Sequence, residues 1–147
     1  MSRDVTIYIV DIFIATNKIS RYIKRFKNAQ ELLHSELEWD ATLRELQVIA
    51  EATNHILKNG LIDETYRRIV DFRNQITHGY FGIDEEIVWE VATKKLDSYV
   101  LELEQVVTAE NLDLSEAIIS AREEYGYNKE VLLLLSHLED FKTRKKQ

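Results

Sequence analysis

The sequence predicts an all-α protein: an antiparallel up-and-down bundle of four helices with an added C-terminal helical hairpin. Apolar residues recur at three- and four-residue steps along most of the chain, and no segment alternates as a strand does. None of the 147 residues is proline, which permits long uninterrupted helices. Hydrophobic residues make up 45% of the chain, as in ordinary globular domains. We expect a bundle over residues 1–108 and a helical extension over residues 109–147, packed on the same domain.

The composition also excludes several classes of protein. Because the chain has no cysteine, disulfides, thiol catalysis and cysteine-based zinc sites are excluded. The apolar run 5–15 is shorter than the roughly 20 residues that span a bilayer, and it contains Asp11. A basic leader and a small-residue cleavage site are both missing, so no signal peptide is predicted. We expect a soluble, cytoplasmic protein without a membrane contact.

The first helix is predicted from Asp4 to about Lys27. Its main stripe repeats at helical spacing and consists of Tyr8, Ile12, Ala15, Ile19, Tyr22 and Phe26. Further apolar residues cover the remaining faces of its first turns, namely Ile7, Ile9, Val10, Phe13 and Ile14. A helix that is apolar nearly all round is buried on more than one side. In a small bundle this predicts a subunit interface in addition to a core, and therefore a homodimer.

Charge is distributed unevenly along the chain. Residues 1–80 contain 11 basic and 11 acidic residues, whereas residues 81–147 contain 8 and 15, which accounts for the net charge of −7. Within the first part, five basic residues follow one another with no acid between them: Lys18, Arg21, Lys24, Arg25 and Lys27. This cluster could contact a nucleic-acid backbone. Equally, it could be a solvated helix end that favours cations.

The next elements are a short helix and a second long one. Asn28 is predicted to cap a turn or helix over Ala29–His34, and the long helix runs from about Trp39 to Lys58. Asn59 and Gly60 end it. Its inward face carries Leu43, Leu46, Ile49, Ala50, Thr53 and Ile56.

A third helix is predicted over Thr65–Thr77, with Asp63 as its N-cap. Four polar residues lie at or just after its end, which is unusual. Arg73 continues the apolar stripe of this helix, where a guanidinium needs a partner. Asp71 or Glu51 could be that partner. Asn74 lies one turn before His78, and Tyr80 follows after a glycine; the four polar residues are Arg73, Asn74, His78 and Tyr80.

Each of these residues also has an ordinary structural interpretation. A histidine in the last turn before glycine often binds free carbonyls and offsets the helix dipole. Arg73 could be half of a buried ion pair, and Tyr80 could be a core aromatic. Taken together they favour a functional site, because no structural requirement places four such groups at one helix end.

The last predicted helix of the bundle ends near Thr108, and the hairpin follows. The first turn of this last bundle helix contains three acids, Asp84, Glu85 and Glu86. Their position at a helix start indicates a favourable interaction with the helix dipole rather than a metal site. In the hairpin, Ser115 opens one helix and Asn128 caps another. The second has an apolar face of Val131, Leu132, Leu134, Leu135, Leu138 and Phe141, which must be covered.

The pattern Arg-x-x-x-x-His-x-Tyr over residues 73–80 resembles the signature of the HepT group of HEPN-domain toxins. The similarity extends to Leu43–Ala52, to Tyr80–Val91 and to the opening helix, covering roughly residues 4–107. The resemblance implies an HEPN-like bundle and a metal-independent endoribonuclease without a cofactor. It implies that Arg73 and His78 are catalytic and lie at a dimer interface. Asn74, which can orient His78 or hold a phosphate oxygen, is a third catalytic candidate. An MNT-type nucleotidyltransferase antitoxin would add AMP to Tyr80.

These residue types suit RNA cleavage. Imidazole titrates near neutrality and can serve as acid or base, and a guanidinium matches the charged phosphorane. One motif supplies one imidazole for two proton transfers, so a two-fold dimer would supply both. The basic cluster, in particular Arg21, Lys24 and Arg25, would then contact RNA. A competing interpretation is a catalytically silent HEPN module that binds a nucleotidyltransferase or a nucleotide.

Overall fold

The computed structural model describes the backbone of residues 4–77 and 82–146, and the side chains of residues 4–76 and 82–140. All the secondary-structure elements of the described chain are helical, which confirms the all-α prediction of an HEPN-like bundle. In order, its helices are α1 (Val5–Ile23), α2 (Ala29–Leu33), α3 (Glu36–Lys58), a 3₁₀ turn (Glu64–Tyr66), α4 (Arg67–Thr77), α5 (Glu85–Glu90), a π-helical segment (Val91–Lys95), α6 (Leu96–Ala109), α7 (Ser115–Glu124) and α8 (Lys129–Lys146).

Short polar side chains begin the helices, as the sequence predicts. The Asn28 Oδ1 atom accepts a hydrogen bond from the Glu31 amide at 2.9 Å, and Asp63 accepts one from Thr65 at 2.8 Å. Asn128 accepts one from Val131 at 3.1 Å. Each bond satisfies an amide that lacks a partner within the helix, so these residues fix where the helices start.

Three helix boundaries differ from the prediction by two residues or more. α4 begins at Arg67 rather than Thr65, after the 3₁₀ turn Glu64–Tyr66. α1 ends at Ile23 rather than near Lys27, and α3 begins at Glu36, three residues before Trp39. The chain turns after α1, which brings the Arg25 Nη2 atom within 3.1 Å of Ser35 Oγ and 3.2 Å of Glu38. This contact joins the end of α1 to the start of α3.

The helix predicted after the acidic turn is not one regular helix. A π-helical segment, Val91–Lys95, separates α5 from α6. Within it, the Thr93 hydroxyl donates to the Trp89 carbonyl at 2.6 Å. Periodicity does not predict such a segment, because one inserted residue barely changes the pattern of apolar positions.

α1 is the central helix of the molecule. It packs against α3 over most of its length and also contacts α6, α7 and α8. Its buried residues cover several faces: Thr6, Ile9, Val10, Ile12, Phe13, Ile14, Ala15, Ile19 and Ile23. The nearly all-round apolar character of α1 is therefore explained within one chain, and it no longer indicates a dimer.

The C-terminal hairpin of α7 and α8 covers one side of α1. Its inward residues belong to the same hydrophobic core as α1, and they include Leu114, Ile118, Val131, Leu135 and Leu138. The outward Leu133 is 66% exposed. The side chain of Phe141, predicted to be apolar and inward, lies outside the described residues. The division into a bundle over 1–108 and an extension over 109–147 remains a proposal.

A polar contact also fastens the hairpin to the bundle. The Lys18 Nζ atom donates to the Tyr125 hydroxyl at 3.4 Å and lies 3.9 Å from Glu45 Oε1. Burial alone would lower the pKa of Lys18, but the neighbouring Glu45 and Tyr125 outweigh it and raise that pKa. Burial raises the pKa of Glu45 despite the Lys18 charge. Lys18 therefore stays charged and holds α1, α3 and the end of α7 together.

Across the described helices, none is long and apolar enough to cross a membrane.

Candidate active site

α4 contains Arg73 and Asn74, the first two of the four polar residues that the sequence singles out. The helix packs against α3; Ile76 is buried, and Arg73 is half-buried. The Arg73 Nη1 atom lies 3.7 Å from Glu51 Oε1. Of the two partners that the sequence suggests for Arg73, the structure therefore shows Glu51.

The contacts of Arg73 leave its guanidinium only partly satisfied. Its Nη2 atom donates to the Asn74 Oδ1 atom at 3.5 Å, at the limit of hydrogen-bond length. Its buried Nε atom has no hydrogen-bond partner among the described residues. Glu51 is 64% exposed, so water screens the ion pair and weakens it. The outer nitrogens of Arg73 can therefore exchange these weak contacts for an anionic ligand.

His78 and Tyr80 lie outside the described residues. The described chain resumes at Gly82, whose φ of +76° is a backbone conformation that glycine adopts freely. Arg73 and Asn74 are thus placed next to each other at the end of α4, whereas the positions of His78 and Tyr80 remain predictions.

The basic cluster of the first helix is partly engaged in internal contacts. Lys18 and Arg25 form ion pairs with Glu45 and Glu38. The Arg21 Nε atom donates to Asn17 at 3.1 Å, and its Nη2 atom is buried without a hydrogen-bond partner in the described part of the chain. Lys24 is exposed. The proposed contacts of Arg21, Lys24 and Arg25 with RNA stay a prediction.

The sequence did not reveal a groove on the other side of α4, which we call the α4–α6 groove. It lies between α4 and the π-helical segment with the start of α6, and it consists of two adjoining cavities of about 310 and 380 Å³. Three cations line it: Arg68, Lys94 and Lys95. The pair Lys94–Lys95 is the sequence signal that could have pointed here, because it interrupts an acidic half of the chain.

Two stacked tyrosines border this groove. The rings of Tyr66 and Tyr99 lie 4.6 Å apart. The Tyr66 hydroxyl donates to Glu102 at 2.9 Å, and the Tyr99 hydroxyl lies 2.9 Å from Thr53 Oγ1. Burial, with the Glu102 contact, raises the pKa of Tyr66 to about 12, and burial also raises the pKa of Tyr99. Both phenols are therefore neutral hydrogen-bonding groups at physiological pH.

A metal site is not evident in the described ranges: the His, Asp and Glu side chains there form no group of three that could hold an ion. The chemistry that the described residues offer is the charge of Arg73 beside the amide of Asn74, near the end of α4.

A helical bundle whose sequence carries Arg-x-x-x-x-His, starting from Arg73 on α4, is typical of the class of HEPN-type ribonucleases. The chain belongs to the HepT-like ribonuclease family, whose match covers residues 12–106. The matched residues include α3, α4 and the arginine and histidine of the motif. The prediction of an endoribonuclease is thereby confirmed at the level of the family.

Several archaeal proteins are similar to this chain. Two from Methanocaldococcus jannaschii bear the names "Putative RNase MJ1380" and "Putative RNase MJ0125". The first is 26% identical over 107 residues, or 71% of this chain and 97% of its own. The second is 28% identical over 110 residues, or 71% of this chain and 92% of its own. A third, "Gamma-glutamylcyclotransferase and putative RNase MJ0434", is 26% identical over 116 residues, 77% of this chain and 51% of its own. No solved structure matches.

Proposed function

We propose that the chain is a metal-independent endoribonuclease that cleaves RNA through a 2′,3′-cyclic phosphate. The observation that carries the proposal is Arg73: its guanidinium is half-buried on the motif helix, and its two contacts are long, at 3.5 and 3.7 Å. A guanidinium held in this way can bind two phosphate oxygens and stabilise the extra negative charge of the phosphorane.

The reaction requires two proton transfers. The ribose 2′-oxygen attacks the phosphorus and loses its proton to a base, while the bond from phosphorus to the 5′-oxygen breaks and that oxygen receives a proton from an acid. His78 supplies an imidazole for one transfer, and His78 of a second copy of the chain supplies the other. Asn74 orients His78 or holds a phosphate oxygen. A homodimer with both motif helices at one cleft is therefore part of the proposal.

The test of this chemistry is to incubate the purified protein with RNA in EDTA and to analyse the ends of the products. We expect cleavage to persist and to leave 2′,3′-cyclic phosphates, because the attacking group is the ribose hydroxyl. A requirement for Mg²⁺, or products with a 5′-phosphate, would contradict the mechanism. If the protein binds RNA or a nucleotidyltransferase without cleaving RNA, it is the silent HEPN module instead.

The biological role that fits this activity is the toxin of a cytoplasmic toxin–antitoxin pair. An MNT-type nucleotidyltransferase would serve as the antitoxin by transferring AMP to the Tyr80 hydroxyl, with pyrophosphate as the leaving group from ATP. The AMP phosphate beside Arg73 would occupy the charge that RNA needs and would block the cleft. The proposed cleavage reaction itself requires no cofactor.

Co-expression with such a nucleotidyltransferase tests the switch. Intact-mass and peptide analysis should show one or more added AMP groups on Tyr80, and the modified protein should not cleave RNA. Tyr80→Phe removes the acceptor oxygen, so it should prevent both the mass gain and the protection. Neutralisation that persists in Tyr80→Phe would mean that the antitoxin acts by binding alone.

A further inference from the structure

The α4–α6 groove has the size of a small-ligand site. Its two cavities share Arg68, Ile69, Val91, Lys95 and Leu96, so they lie next to each other along the groove. Their volumes, about 310 and 380 Å³, are those of pockets that hold a nucleotide-sized ligand.

The lining of the groove combines an apolar floor with a basic rim. Ile69, Leu96 and the half-buried ring of Tyr66 provide apolar and aromatic surface. Among the described residues that line it, three are basic and one, Asp71, is acidic. Such a positive groove is unexpected in a protein of net charge −7. Apolar and aromatic surface beside cations is the arrangement that binds a base together with its phosphates.

The π-helical segment brings two of the cations to the same groove. Lys94 and Lys95 are its last two residues, and both line the larger cavity. A π-helical turn carries less favourable hydrogen bonding than a regular helix and is frequent at functional sites. Here it places consecutive lysines opposite Arg68 of α4.

We propose that the α4–α6 groove is a binding subsite for single-stranded RNA, which holds a nucleotide beside the one that is cleaved. The base contacts the apolar floor and Tyr66, and the neighbouring phosphates contact Arg68, Lys94 and Lys95. A single strand is preferred because a base in a duplex would first have to be unpaired and unstacked before it could enter the groove. This inference rests on the proposed ribonuclease function and specifies its substrate.

The position of the groove relative to Arg73 determines which nucleotide of the RNA strand the groove holds. Gln75 lines the groove, and Arg73, two residues earlier, lies on the opposite flank of α4 beside Glu51. A helix with its side chains is about 10–12 Å across. A strand whose reacting phosphate lies at Arg73 therefore crosses the exposed outer side of α4, near Asn74, before it reaches the groove. The groove thus contributes to binding rather than to the chemical step.

The experiment measures RNA affinity of the His78→Ala protein, in which cleavage is removed, with a fluorescein-labelled 12-nucleotide single strand. Lys94→Gln/Lys95→Gln should weaken binding by about tenfold, because it removes charge-assisted hydrogen bonds to phosphate. The dependence of log affinity on log salt should flatten by about 0.7 for each phosphate that a lysine no longer neutralises. Lys58→Gln/Lys129→Gln removes two exposed lysines elsewhere and should change neither quantity. With His78 intact, the groove variant should raise KM more than it lowers kcat.

Four results would overturn the inference. The first is that Lys94→Gln/Lys95→Gln binds RNA as tightly as the control variant, and the second is that a 12-base-pair duplex binds as tightly as the single strand. The third is that 5′-AMP displaces the strand completely and binds as tightly as the strand does. The fourth is that light scattering gives a changed molar mass for the groove variant alone. The third result would make the groove a mononucleotide site, and the fourth would make it an interface between copies of the chain. Failure of the proposed function is distinguishable, because an unmodified protein that binds RNA through the groove but does not cleave it contradicts only the nuclease mechanism.

Discussion

Replacing His78 or Arg73 by alanine is expected to lower the rate of RNA cleavage by about 10²- to 10⁴-fold while the fold stays intact. His78→Ala removes the proton acceptor or donor, and Arg73→Ala removes the charge that stabilises the phosphorane. The fold should tolerate Arg73→Ala because Glu51, its ion-pair partner, is 64% exposed and remains hydrated when left alone. The measurements are single-turnover cleavage rates and, for the fold, far-ultraviolet circular dichroism with thermal melts.

Two further variants separate charge from geometry. Arg73→Lys keeps the positive charge but loses the planar pair of donors, so its rate should lie between those of the unmodified protein and Arg73→Ala. Glu51→Gln preserves shape while removing the screened ion pair, and its cleavage rate should change only a few-fold, because Glu51 positions Arg73 without touching RNA. A fully active His78→Ala protein would contradict the assignment of the catalytic imidazole.

Mixing the unmodified protein with His78→Ala protein tests whether two copies share one active site. If each cleft needs an imidazole from both subunits, mixed dimers are inactive and the rate falls with the square of the unmodified fraction. Independent monomers would give a linear decrease instead. Light scattering should report twice 17.3 kDa for the unmodified protein.

The helices of this protein could be predicted because their signals are local. Asn28 and Asn128 cap the helices that the sequence assigns to them, whereas Asp63 caps the 3₁₀ turn that precedes α4. Which segments cover the apolar faces of α1 could not be predicted in the same way. Its apolar residues show that several faces are buried, but periodicity within one helix does not tell whether another copy or a later segment covers them. The structure shows that α7 and α8 do so.

The candidate site likewise has a part that the sequence predicts and a part that it does not. The motif that begins at Arg73 is contiguous in the sequence, so a sequence can reveal it, and the Arg73–Glu51 contact follows from two helices packing side by side. The α4–α6 groove combines Arg68 with lysines 26 residues later, and their approach depends on the π-helical segment. In the first helix, the basic cluster appeared continuous, yet the fold turns Lys18 and Arg25 towards acidic partners.

Removing the C-terminal hairpin, residues 110–147, is expected to destabilise the protein strongly. Val131 and Leu135 of α8 are fully buried, and Leu114 and Ile118 of the preceding segment are nearly so. Each buried aliphatic side chain contributes about 1.5–3 kcal/mol relative to an exposed one, and the truncation would also expose the apolar side of α1 that these residues cover. The hydrogen bond from Lys18 to Tyr125 would be removed as well. Lower solubility and a lower melting temperature should result.

Because the truncated chain could fail to fold, a pair of point variants on α8 gives the decisive comparison. Leu135→Ala leaves a cavity in a fully buried position and should lower the free energy of unfolding by about 2–5 kcal/mol. Leu133→Ala makes the same chemical change two residues away, where the side chain is 66% exposed, and should alter stability by no more than about 0.5 kcal/mol. Urea unfolding of both variants measures the difference. Equal stabilities, or a truncated chain as stable as the full one, would show that the hairpin does not pack on α1 in solution. The leucine face of α8 would then be available to a partner, and the nucleotidyltransferase antitoxin would be the first to test.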